Sequence, residues 1–184
     1  SYYDKSQAIS DIAQAQANSG LFQQAFKTAY SINDDNYKAN ALNNIAQAQA
    51  NSGLFQQALD TANSINNDNY KAQAISNIAQ ALANTTLDSA QLQTLFQQAL
   101  DTANSISDDD SKANALNNIL QALANTTLDS AQLQTLFQQA FKTAYSINYD
   151  NYKVQAISNI LQALANTTLD SAQLQTLFQQ AFKT

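Results

Sequence analysis

The chain has no cysteine, histidine, methionine, tryptophan, proline, glutamate or arginine. Without cysteine or histidine there is no disulfide, no thiol nucleophile and no zinc site of the usual ligands. The many serines have no imidazole to activate them, so neither an enzyme nor a bound cofactor or metal is expected. Charged residues make up 12%, about half of the roughly 25% usual in soluble domains. All fourteen acids are Asp and all eight bases are Lys, for a net charge of −6. That balance opposes binding to a phosphate backbone, which needs clustered cations. No apolar run approaches the 18 or so residues that span a bilayer, and no secretory signal opens the chain. A soluble protein with no nucleic-acid or membrane partner is expected, its compartment unknown for want of a targeting signal (cytoplasmic if expressed in a bacterial host). The absence of cysteine leaves the redox compartment open. Seven missing residue types in 184 residues, with no initiator Met, read as an engineered or consensus-derived sequence rather than a natural fragment.

What is present is repetition. Lys5, Lys38, Lys71, Lys112 and Lys153 open equivalent segments at spacings of 33, 33, 41 and 41 residues. The whole chain, 1–184, reads as one repeat domain with units at approximately 5–37, 38–70, 71–111, 112–152 and 153–184. Two units are of the short, 33-residue type and three of the long, 41-residue type. Each carries two apolar stripes of helical period. In the second unit Ala41, Leu42, Ile45, Ala46 and Gln49 form one stripe. Gly53 then breaks the chain, as a glycine just past a helix end does. Leu54, Phe55, Ala58, Leu59, Ala62 and Ile65 form the other stripe. The turn formers Asn66 to Tyr70 follow. A lone helical hairpin cannot bury its apolar face, so stacked neighbours must supply the core. The expected fold is all-α: an α-solenoid, or superhelix, of about five helical hairpins.

The two unit types differ at one joint. ANSGLFQQA at 17–25 and 50–58 becomes ANTTLDSAQLQTLFQQA at 83–99, 124–140 and 165–181. Inside the insert, Asp88 and Gln91 have the spacing of a capping box, and Leu87 and Leu92 that of a hydrophobic staple. The pattern recurs at Asp129 and Asp170. The second helix should therefore start about two turns early, running from Asp88 to Ile106 over roughly 28 Å. Its partner should run from Lys71 to Asn84. Where a unit is long, its first helix carries Leu82, Leu123 or Leu164; where it is short, Gln16 or Gln49. Leu120 and Leu161 follow long units, whereas Ala13, Ala46 and Ala79 do not. Both switches read as packing against an extension, so the insert is structural.

The short units resemble the tetratricopeptide repeat, a helical hairpin of about 34 residues. Ile9 and Leu42 take its large first-helix position, Ile12 and Ile45 the next, and Ala13 and Ala46 the small one. Gly20 and Gly53 match the turn glycine, Phe22 and Phe55 the aromatic after it, and Ala25 and Ala58 the alanine that follows. The likeness covers all five units outside the inserts. It departs at the missing terminal proline, and at Gln16 and Gln49 where the family prefers tyrosine.

Asn44, Asn77, Asn118 and Asn159 occupy one first-helix position, with Asp11 in the first unit. Gln14, Gln47, Gln80, Gln121 and Gln162 lie three residues on, on the same face. The resemblance implies that this face lines a concave groove in which the asparagines hold a peptide backbone, and an amide offers both donor and acceptor to such a ligand. The competing reading is a solvated or inter-helix polar face copied by repetition. The Asp-rich loops 33–36 and 107–110 lack the spacing and bidentate Glu of a calcium loop, and helix capping accounts for them better. Asn84, Asn125 and Asn166 formally satisfy N-x-T, but a helix end followed by a turn explains them. The series Ser10, Asn43, Ser76, Asn117, Ser158 faintly resembles base-reading positions of helical-repeat RNA binders, against the acidic balance. The tyrosines at 30, 37, 70, 145, 149 and 152 suit packing between units more than binding. At the C-terminal end Leu161, Leu164, Leu177 and Phe178 should be exposed, an apolar patch of the kind that marks association. A homo-oligomer through the terminal repeats is expected, with an extended peptide as the other candidate partner. The functional expectation is thus a non-catalytic repeat scaffold, and the alternative a peptide- or protein-binding module using the amide ladder.

Overall fold

The computed structural model describes residues 2–182; residues 183 and 184, assigned above to the fifth unit, lie outside them. The described residues form ten helices and no strand. In chain order these are α1 (Tyr2–Asn18), α2 (Phe22–Tyr30), α3 (Asp35–Asn51), α4 (Phe55–Ser64) and α5 (Asp68–Ala83), then α6 (Ser89–Asn104), α7 (Asp109–Leu123), α8 (Ser130–Tyr145), α9 (Asp150–Ala165) and α10 (Ser171–Ala181). Each odd helix pairs with the even helix after it, and the pairs stack in sequence order. This is an all-α solenoid of five hairpins.

The odd helices pack closely along their row, α1 on α3 and so on to α9. The even helices approach one another less, and among the described residues no contact joins α2 to α4. The tighter row is the inside of the curve, so the odd helices line the concave face.

The short joint is a glycine turn. Gly53 sits at φ 77°, a left-handed conformation that costs glycine nothing. Its N–H bonds to the Ala50 carbonyl, and the Leu54 N–H reaches the Gln49 carbonyl at 2.9 Å. The two together are a Schellman closure of α3. In the long joint an aspartate replaces that turn. Asp88, Asp129 and Asp170 each accept the backbone N–H three residues on. The reciprocal bond from the glutamine side chain forms at Gln132 and Gln173, but not at Gln91.

The inner helices begin earlier than expected. Asn67 already accepts the Tyr70 N–H as an N-cap, so α5 opens at Asp68, three residues before Lys71. Only three residues, 65–67, separate α4 from α5, because the turn formers that follow Asn67 belong to the first turn of the helix. Both stripes of the second unit are buried except Leu54, which precedes α4 and is half exposed. Leu82, Leu123 and Leu164 are all buried in the core. Two expectations at the C-terminal end need correcting: Leu164 and Leu177 are fully buried and Leu161 is half buried. The last hairpin packs back on α7 and α8, and Tyr149, Val154, Phe178 and Phe182 are exposed there.

Candidate binding groove

The amide ladder lies on the concave row. Asn44, Asn77, Asn118 and Asn159 are half buried, and Gln14, Gln47, Gln80, Gln121 and Gln162 are exposed. The structure brings only part of the ladder into a concavity. Gln80, Asn118 and Gln121, with Asn84 and Asn125, line a hollow of about 180 Å³ between α5 and α7. Asn118 also borders a second hollow of about 260 Å³, lined by Asn69, Gln73, Ser76, Asp110, Ser111 and Asn114. The two share Asn118 and run end to end along the α5–α7 seam. At the shared residue the Asn118–Ser76 hydrogen bond crosses the seam, so the groove is two polar hollows in line rather than one open channel.

The groove therefore runs parallel to the helix axes, whereas the ladder runs across them. Asn69 and Gln73 on α5 and Asn84 at its C-cap, with Asn114 on α7 and Asn125 just past its end, are not ladder positions. Their signal was present as polar residues recurring at i, i+4 and i+7 or so along one helix. Asn44, Asn77, Asn159, Gln14, Gln47 and Gln162 line neither hollow.

Part of the wall is fixed by bonds between units. Asn118 Nδ2 donates to Ser76 Oγ at 3.0 Å, and the Ser76 hydroxyl donates to the Ala72 carbonyl at 2.8 Å. One seam earlier, Asn43 Nδ2 donates to Gln73 Oε1 at 3.2 Å. These bonds hold the carboxamides of Asn118 and Gln73 in place. Of the five positions that faintly resemble base readers, Ser10, Asn43 and Ser76 are buried in inter-helix seams, whereas Asn117 is half buried and Ser158 is exposed.

The acidic loops act as caps and staples. Asp34 accepts the N–H groups of Asn36 and Tyr37. Asp108 accepts the Ser111 N–H at 2.8 Å, and hydrogen bonds from the Ser111 side chain and backbone hold its carboxyl below the usual aspartate range. Asp68 reaches forward to the N–H groups of Ser107 and Asp108, and Asp109 to those of Asn148 and Tyr149. Among the described residues no group of three or more acidic side chains is placed to hold a metal ion. Asn84 and Asn166 are helix C-caps, as expected of the N-x-T sites. Among the tyrosines, Tyr145 donates its hydroxyl to the Gln180 carbonyl at 2.9 Å, tying α8 to α10, and burial pushes its phenol up. Among the described residues no helix is long and apolar enough to cross a membrane.

No protein-family model matches the chain, and no curated protein matches it. Among solved structures it is similar to Ton1535 from Thermococcus onnurineus NA1, at 23% identity and a TM-score of 0.42. That alignment covers 95% of this chain and 52% of the other. The chain thus spans about half the length of the structure it matches.

Proposed function

We propose that the chain is a non-catalytic helical-repeat scaffold that holds an extended peptide segment in the α5–α7 groove. The observation that carries this reading is the groove's lining. Amides from the α5 and α7 sides line two polar hollows set in line along the seam, and Gln80, Gln121, Asn84 and Asn125 are exposed in one of them. An extended backbone presents a donor or acceptor at every residue, which carboxamides of either polarity can meet. The resemblance to tetratricopeptide repeats supports the same mode. The reduced alphabet and the verbatim copies of the 17-residue segment support an engineered or consensus-derived origin. The test is selection from a random linear peptide library against the intact chain, followed by affinity measurement on the Gln80→Ala, Gln121→Ala double variant. Selected peptides should lose at least tenfold in affinity with Tm unchanged. Failure to select any peptide, or peptides indifferent to the double variant, removes the groove as the site.

A second reading, self-association through the terminal faces, is favoured by a separate observation. Val154 is 65% exposed, while Ala39, Ala72 and Ala113 at its position are at most 6% exposed, covered by the next unit. Ile12 is 53% exposed, while Ile45, Ile78, Ile119 and Ile160 are fully buried. Light scattering across a wide concentration range decides it. A dimer or larger species that Val154→Asp or Ile12→Asp turns into monomer supports association, and a monomer at every concentration rejects it.

A further inference from the structure

The lengthened joint begins abruptly, between a short second unit and a long third one. Phe96 of α6 is equivalent to Phe55, the first residue of α4, yet α6 begins at Ser89. Seven residues, about 10 Å of helix, therefore project past the start of α4. Later in the chain such a projection is covered by the projection before it. Leu128, just before the cap of α8, and Leu136 on α8, both behind α6, are buried, as are Leu169 and Leu177 behind α8. Leu87 and Leu95, behind the short α4, are only half buried. The glutamine between them follows suit: Gln132 and Gln173 are half buried, and Gln91 is exposed. Gln173 Nε2 reaches Gln134 Oε1 on the helix before it at 3.4 Å, whereas Gln91 has no such helix beside it.

This leaves a hollow of about 440 Å³, mainly apolar, lined by Leu87, Ala90, Gln91 and Leu95 from the third unit and by Gly53 and Phe55 from the second. At its floor α4 begins without a side-chain cap, since Leu54 stands at the N-cap. Aspartates occupy that place in α6, α8 and α10. The first N–H groups of α4 are thus without a side-chain acceptor, and they form the positive end of its dipole.

We propose that this hollow receives the C-terminal two turns of an amphipathic helix from a partner protein, seated end-on over α4. Its aliphatic side chains lie on Leu87 and Leu95, and its terminal carboxylate meets the N–H groups that open α4. The occupant supplies what the second unit lacks, in the chemistry with which α6 covers α8. A second copy's terminal unit does not fit, because only the overhang is free and α4 fills the space below it. The proposal does not depend on the concave groove, which lies on the opposite row of helices.

The probe is an N-acetylated peptide, TTLDSAQLQT, with a free C-terminal carboxylate, titrated into the isotope-labelled intact chain and followed by amide chemical shifts. Saturable shifts are expected at Gly53, Phe55, Leu87, Gln91 and Leu95. Amidating the peptide's C-terminus should weaken binding several-fold. Ala90→Glu, which crowds the exposed rim and suits the first turn of α6, should weaken it at least tenfold with Tm unchanged. No shifts at millimolar peptide, shifts elsewhere, or affinity indifferent to both changes would overturn the proposal.

Discussion

Thr61 on α4 donates its hydroxyl to Gln49 on α3 at 2.7 Å, and both side chains are buried. The first unit repeats the bond between Thr28 and Gln16 at 2.7 Å. In the long units leucine replaces the glutamine, and Thr102 turns to the Gln98 carbonyl instead. The glutamine–leucine switch read from the sequence is thus an exchange of a buried polar pair for apolar core.

That exchange predicts a double-mutant cycle. Thr61→Val leaves the Gln49 oxygen buried without its donor and should cost about 1–3 kcal/mol. Gln49→Leu should cost less than about 1 kcal/mol, because the single Thr61 hydroxyl hydrogen can turn to the Gln57 carbonyl 2.9 Å away and side-chain volume is nearly preserved. The double variant should lie close to wild type, giving a coupling of about 1–2 kcal/mol. Urea unfolding of the four proteins measures it, and simple additivity would refute it.

The forward-reaching aspartates predict a gradient along the chain. Asp109 is buried and bonds the N–H groups of Asn148 and Tyr149 at 3.0 and 2.9 Å. Its equivalent Asp35 is exposed and, among the described residues, meets only Lys38, at 3.4 Å. Asp109→Ala should cost about 2–3 kcal/mol, since two charge-assisted bonds are lost and two N–H groups lose their partner. Asp35→Ala should stay within about 0.5 kcal/mol. Equal effects would show that the staple between units contributes nothing.

Much of this was legible because it is local. The turn glycines, the aspartate caps and the two-turn extension each follow from a few adjacent residues, and they stand in the structure where their spacing puts them. The inner helices begin three residues before Lys71 and Lys112 because Asn67 and Asp108 cap them directly, and the polar residues between cap and lysine form the first turn, which carries no apolar stripe to mark it. The groove was only partly legible. Which amides face each other depends on how closely α5 and α7 approach, a consequence of curvature summed over many contacts. Leu164 and Leu177 are buried rather than exposed for a related reason: the last hairpin packs back on α7 and α8, a contact that no local pattern announces.

Asp108 predicts an acid dependence with a defined sign. Its folded pKa is lowered by the bonds from Ser111. A lowered carboxyl adds stability that is fully present above the ordinary aspartate value of about 3.9 and is lost as pH falls through the folded value. The stability difference between wild type and Asp108→Asn should therefore narrow as pH drops below about 4. Carboxyl-carbon NMR should place the Asp108 midpoint below that of a model peptide. A midpoint at or above it would contradict the capping role.

The joint itself can be tested by shortening it in the fourth unit, with Ser-Gly in place of the ten residues 126–135. The change removes Leu128 and Leu133, both buried, and each buried leucine contributes about 1.5–3 kcal/mol. It also uncovers Leu123 within the unit and the stripe of Leu169 and Leu177 behind it. A loss of several kcal/mol is expected in urea unfolding. Leu123→Gln should then separate two accounts of the insert. If the leucine is matched to the extension, the substitution costs about 2 kcal/mol or more in wild type. In the shortened chain it costs much less, because Thr143 is placed to donate to glutamine as Thr61 does. The same penalty in both backgrounds would mean that joint length and residue choice vary independently, and that the extension does not account for the leucine.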